Sequence, residues 1–134
     1  VKQLQGHEHC PCGRLDARGH VLPYAQCCGR FLEAGHHAAD ALSLMRSRYA
    51  AFVLEREPYL LATWHVNHRP AGIEFVPQAK WLGLDVRTSQ QLDETHAEVE
   101  FVARQRVAGR AVRLHERSRF LKENEHWYYL DGAT

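Results

Sequence analysis

The chain has 134 residues, 45% hydrophobic and 25% charged, which suits one domain with a core of its own and is too short for two. With 17 Lys and Arg against 16 Asp and Glu, the net charge of +1 makes no electrostatic case for nucleic acid or an anionic membrane. No apolar run approaches the ~18 residues that span a bilayer, and no glycine-rich phosphate loop, serine nucleophile elbow or His-Glu-x-x-His is present.

Val1 to Glu8 is a polar lead-in without an apolar signal core, so a cytoplasmic protein is expected. All four cysteines follow within the first 28 residues: Cys10-Pro-Cys12-Gly13, then Cys27-Cys28-Gly29. Cysteine thiolate is the best structural zinc ligand, and four of them complete a tetrahedron. Pro11 and the glycines supply the turns that such a clamp needs. Disulfides or free thiols are the competing reading, and it is weaker. Adjacent cysteines bridge each other only under strain, two bridges to Cys10 and Cys12 would be crowded, and the expected compartment is reducing. His7, His9 and His20 lie close by in sequence and are read as solvated bystanders, because four cysteines already saturate a metal.

Asp40 is an N-cap candidate, and Leu42, Met45, Tyr49, Phe52 and Val53 then fall on one helical face, predicting a helix that ends near Glu55 to Glu57. Pro58 suits the first turn of a second helix carrying Tyr59, Leu60, Thr63 and Trp64. Ile73 to Trp81, with Pro77, reads as irregular or a short helix. From Leu82 the period becomes two. Leu82, Leu84 and Val86 share one face of a first strand, and Ala97, Val99, Phe101 and Ala103 one face of a second. Val112, Leu114, Glu116, Ser118 and Phe120 share a face of a third, and Trp127 to Asp131 form a fourth. Val107 to Arg110 and Lys122 to Glu125 are the tight turns. Two or three helices before a four-stranded antiparallel meander predict an α+β domain with helices on one face of a curved sheet. Arg104, Arg106, Arg110 and Arg113 are read as its solvated face.

Cys-Pro-Cys-Gly followed by Tyr24-x-x-Cys27-Cys28-Gly29 resembles the SEC-C zinc motif, named for the C-terminal tail of the SecA translocation ATPase. Gly13-Arg14-Leu15 replaces the usual Gly-Ser-Gly, and the loop to Tyr24 is longer than the family's. Further along, Leu44 to Phe52, Thr63-Trp64-His65, Trp81 to Leu84, Phe101 to Arg104, Glu116 to Asn124 and Trp127 to Gly132 resemble the YchJ family over nearly the whole chain. The resemblance implies a nuclear-transport-factor-two-like cone: helices over a strongly bent antiparallel sheet with an open mouth. It also implies a division into a zinc-binding segment and connector at 1–38 and the α+β domain at 39–134, with Cys10, Cys12, Cys27 and Cys28 as the ligands of a structural zinc.

Polar groups on the inward sheet face are the candidates for chemistry. Glu116 is the sharpest, since a carboxylate on an apolar face must be paired or hydrogen-bonded, and Arg46 or Arg48 could reach it from the helix. The preferred reading is a buried Glu-Arg pair joining helix to sheet. A pocket acid or base is the alternative, favoured if Glu116 lacks an arginine partner and faces a cavity. His65 at a helix end and Asp131, expected on the face of Trp127 and Tyr129, are weaker catalytic candidates. Trp64, Trp81, Trp127, Tyr128 and Tyr129 could line an apolar pocket or simply pack in the core, and Trp64, Trp127 and Tyr129, with Arg46 and Arg48, are the expected pocket residues. The sequence is therefore read as a zinc-binding accessory protein, an interaction module rather than an enzyme. By analogy with SecA its protein partner is expected in protein export or at the ribosome, and a homodimer through the sheet is among the assemblies expected of cone folds. The alternative is a small-molecule isomerase or dehydratase.

Overall fold

Asp40 opens the helix around which the rest is built. The computed structural model describes residues 2–133. A 3-10 turn at Tyr24–Gln26 leads into α1 (Gly29–Leu32), followed by α2 (Ala41–Val53) and α3 (Glu57–Ala62). The Asp40 carboxylate accepts from Ser43 N at 2.6 Å, satisfying one of the amides the first turn leaves unpaired. At the other end Glu55 is left-handed (φ 56°). Arg56 N donates to Ala51 O at 2.8 Å and Glu55 N to Phe52 O at 3.3 Å, a Schellman stop with glutamate where glycine is usual. Pro58 sits in the first turn of α3, as its fixed φ and missing N–H favour.

The expected apolar stripe on α2 understates its burial. No residue of the helix is exposed, and Leu44, Ser47, Ala50 and Ala51 are fully enclosed. The helix touches α1, α3 and three strands, so it is a central rod rather than a surface helix with one wet face. That setting buries Arg48.

Strands β1 (Lys80–Gln91), β2 (His96–Val107), β3 (Arg110–Glu123) and β4 (His126–Ala133) form one antiparallel sheet in sequence order. Residues 73–79 lead irregularly into β1, in agreement with one of the two readings offered for that segment. The β2–β3 register is unbroken from His96↔Leu121 to Val107↔Arg110, whereas both outer pairs carry bulges. Between Trp81 and Gly83 the bulge leaves Leu82 without a partner, so Trp81 and Leu84 pack inward and Leu82 is exposed. The expected Leu82–Leu84–Val86 face is corrected accordingly. On β4, Arg119 pairs with Asp131 but the adjacent Phe120 pairs with Tyr129, so Leu130 is the extra residue. Asp131 is thereby moved off the face that Trp127 and Tyr129 share.

The N-terminal segment is built into the cone. Cys10, Cys12, Tyr24, Cys27 and Cys28 belong to one buried cluster with Tyr49, Ala50, Leu54 and Ala103. A second cluster joins Phe31, Ala41, Leu44 and Met45 to Val99, Phe120 and Trp127. Among the described residues no helix is long and apolar enough to cross a membrane.

Candidate metal centre and ligand pocket

The four cysteines converge by backbone geometry. Gly13 N closes a turn on Cys10 O at 3.1 Å, which brings Cys10 and Cys12 to the same side. Cys27 lies between the 3-10 turn and α1 with φ −126° and ψ −118°, a kink that lets it and Cys28 aim at one point. Gly29 follows because a Cβ there would stand 2.7 Å from Tyr24 O. All four sulfurs are buried, unbridged, and within 4.8 Å of one another. Cys10 and Cys12 sulfurs are 3.7 Å apart and Cys12 and Cys27 sulfurs 3.5 Å. Zn–S bonds of about 2.3 Å in a tetrahedron set sulfurs about 3.8 Å apart, so the donor set and spacing fit a closed zinc site. The four thiols share their hydrogen bonds unequally, so Cys12 and Cys27 are pushed down while Cys10 and Cys28 are pushed up.

Arg46 belongs to this centre, not to the pocket where it was expected. Its Nη1 donates to Cys12 O at 2.9 Å, and Arg14 Nη1 donates to Ser43 Oγ at 3.1 Å, so two guanidinium groups tie the metal segment to α2. Held at Cys12, Arg46 does not line the cavity that Glu116 faces.

The cone encloses a cavity of about 660 Å³, within the roughly 300–1,000 Å³ common for small-molecule sites. Its walls are largely aromatic, with Tyr49, Phe52, Trp64, Trp81, Phe101 and Tyr129 among them, and Phe75 and Val76 from the irregular segment complete the rim. Glu116, Ser118 and Arg48 also line it. Glu116 Oε2 accepts from Ser118 Oγ at 2.5 Å and from Tyr129 Oη at 3.0 Å. Gly132 makes this possible: a Cβ there would overlap the Glu116 carboxyl group, so only the bare backbone of β4 leaves room for it.

Arg48 does not form the expected ion pair. Its Nη1 donates to Leu60 O at 2.8 Å and to Thr63 Oγ1 at 2.7 Å, and its guanidinium lies 4.5 Å from the Tyr129 ring centre and 5.0 Å from that of Trp64. Burial lowers its pKa to about 10, against weaker opposing contributions from Tyr129, Tyr59 and Glu116. The pKa of Tyr129 is raised, by burial first and then by the Glu116 charge and hydrogen bond. Burial likewise raises Tyr49 to about 12.

Of the expected pocket residues, Arg48, Trp64, Trp81 and Tyr129 line the cavity, whereas Trp127 is buried in the second core cluster behind it and Tyr128 packs edge-on against His65. The weaker catalytic candidates lie elsewhere. His65 Nε2 is 3.1 Å from Glu123 Oε2 and its Nδ1 accepts from Asn67 N at 3.2 Å, an arrangement that anchors the end of α3 against the sheet. Asp131 forms a two-pronged ion pair with Arg119, both contacts at 2.6 Å, and the guanidinium holds its carboxyl below the usual range. The bulge at Leu130 is the reason, since it turns Asp131 to the face opposite the cavity. Several site residues escaped sequence reasoning, among them the cavity aromatics Tyr49, Phe52, Phe75 and Phe101 and, beside Glu116, Ser118 and Gly132. Ser118 could have been found by its i+2 spacing from Glu116; Gly132 comes near Glu116 only through strand pairing.

A bent antiparallel meander closed by helices, with a deep mouth and four convergent thiols, defines a cone-shaped α+β protein carrying a metal-binding knuckle. The family described as YchJ, middle NTF2-like domain, matches residues 40–132, and the chain belongs to the YchJ family. It is 66% identical over 128 residues to a UPF0225 protein of a Polaromonas species, covering 93% of this chain and 92% of that one. A Bordetella pertussis UPF0225 protein is 57% identical over 129 residues, covering 92% and 90%. The solution structure of a SEC-C motif containing protein from Rhodopseudomonas palustris is similar at a TM-score of 0.80 and 32% identity, covering 95% of this chain and 98% of that one. A crystal structure of a SEC-C motif containing protein from Psychrobacter arcticus matches at 0.78 and 29%, covering 94% and 82%.

Proposed function

We propose that this chain is a zinc-stapled binding protein that receives a small, largely apolar molecule in the mouth of its cone. The observation that carries this reading is Glu116: a carboxylate on the wall of an aromatic cavity, oriented by Ser118 and Tyr129 and without an arginine partner. A carboxylate used only to join helix to sheet would be expected to meet Arg48 directly. A polar group held in place on an apolar wall is the usual arrangement of a ligand site.

Zinc, in this reading, is structural. Cys10, Cys12, Cys27 and Cys28 would hold it, and four thiolates leave no position for a reacting water. The metal would supply folding energy to a segment with little core of its own, and Arg46 and Arg14 pass that order to α2. The expectation of a protein-interaction module, in export or at the ribosome, rests on the SEC-C resemblance alone, and the pocket geometry favours the small-molecule reading. An enzyme of isomerase or dehydratase type would use the same pocket with Glu116 as its base.

Titration with prodan, an uncharged polarity-sensitive naphthalene dye, tests the pocket directly. One saturable site per chain, with quenching of tryptophan fluorescence from Trp64 and Trp81, is expected. Failure of the dye to saturate would defeat the pocket reading.

A further inference from the structure

Glu116 divides its two oxygens between different tasks. Oε2 is occupied by the Ser118 and Tyr129 hydroxyls. Oε1 has no hydrogen-bond partner among the described residues, on a side chain that lines the cavity. Gly132 fixes the carboxyl group's position from below, because any side chain there would displace it. A carboxylate only accepts hydrogen bonds, so the matching group on a ligand is an O–H or N–H donor.

The charge of that ligand follows from Arg48. The guanidinium donates to Leu60 O and Thr63 Oγ1 through Nη1 alone and is flanked by the rings of Trp64 and Tyr129. Arg48 from α2 and Glu116 from β3 both line the cavity on either side of Tyr129 without ion-pair contact, so cation and anion leave it close to neutral overall. Ionic side chains at the rim are of both signs, Lys2 and Arg113 with Glu55 and Glu74. A charged ligand would thus lose its hydration without meeting an unopposed counter-charge. The aromatic walls favour a flat body, since stacked and edge-on ring contacts add to area burial.

Resting on the pocket reading above, we propose that the cavity selects an uncharged, flat, largely apolar molecule bearing one hydroxyl or N–H group, which it presents to Glu116 Oε1. Orientation then comes from a single hydrogen bond and affinity from the aromatic walls.

Three probes of nearly equal shape separate the possibilities near neutral pH: β-naphthol, its methyl ether and β-naphthoate, each competing with prodan. The naphthol is expected to bind more tightly than the ether by about tenfold or more, the usual contribution of a hydrogen bond to a charged acceptor. Naphthoate is expected to be the weakest. In Glu116→Met the naphthol should lose its advantage while prodan still binds. Gly132→Ala, which keeps the carboxylate but displaces it, should reduce the advantage too and serves if Glu116→Met fails to fold. Equal binding of naphthol and ether would overturn the donor selection and leave the pocket standing. Preference for naphthoate would overturn it as well, by making Arg48 the recognition group. If neither the dye nor any probe saturates, both the selection and the pocket reading fail.

Discussion

Replacing Gly132 by alanine adds one methyl group at the point where Glu116 lies. Its Cβ would overlap the carboxyl group and stand 2.5 Å from Cγ, about 1 Å inside ordinary contact. Gly132 is not among the positive-φ residues, so alanine meets no backbone penalty and on its own would stabilise the strand by about 0.5–1 kcal/mol. Against this, Glu116 must swing away and release the hydroxyls of Ser118 and Tyr129. Hydrogen bonds to a charged group contribute about 1.5–3 kcal/mol each, but the displaced carboxylate finds water in the cavity mouth, which recovers part of the loss. The net cost should be about 1–3 kcal/mol, or a Tm lower by about 3–10 °C. A double-mutant cycle isolates the cause. In a Glu116→Ala background the clash is gone, and Gly132→Ala should be neutral or stabilising by up to about 1 kcal/mol. Urea unfolding of the four proteins measures the coupling, expected at about 1–4 kcal/mol. Additive effects, or an unchanged Tm in Gly132→Ala alone, would refute the placement of Glu116 against β4.

Elemental analysis should find one zinc per chain and none in Cys12→Ser; because the cysteines share a buried cluster with Tyr49, Ala50 and Leu54, chelation should also lower the Tm of the cone, and an unchanged melt would contradict the shared core. Acidification to about pH 5 should release the metal as protons compete for the thiolates, detectable with a chromophoric zinc chelator. Asp131 is depressed by Arg119, so its contribution is fully present above the unfolded carboxylate pKa and is lost as pH falls through the lower folded value. Because the pair is exposed, Asp131→Asn should cost less than about 1 kcal/mol at neutral pH and nothing in strong acid, by urea unfolding, with prodan affinity unchanged. Glu55→Gly should raise stability by up to about 1 kcal/mol by relieving a left-handed glutamate, read as a higher urea midpoint.

Much of this was legible along the chain because the signals are local. Asp40 three residues before Ser43, Pro58 in a first turn, alternation through β2 and β3, and paired cysteines beside turn residues each act over a few residues, where spacing alone carries the physics. The strand face holding Glu116, Ser118 and Phe120 came out as expected because the register from β2 to β3 is unbroken. What failed was whatever depended on a bulge or a partner far away. One extra residue at Leu130 turned Asp131 away from the pocket, and one at Leu82 changed the inward face of β1, since a strand's period of two reverses with a single insertion. Arg46 and Arg48 were indistinguishable in sequence, two positions apart on one helix; about 200° of rotation sends the first to Cys12 O and the second between Trp64 and Tyr129. The sequence by itself thus determined the helix-then-meander order and the clustering of the four cysteines. Only the tertiary structure decided that Glu116 rests on Gly132, held by two hydroxyls with one oxygen open to an aromatic cavity, because that contact joins two strands whose register no local pattern encodes.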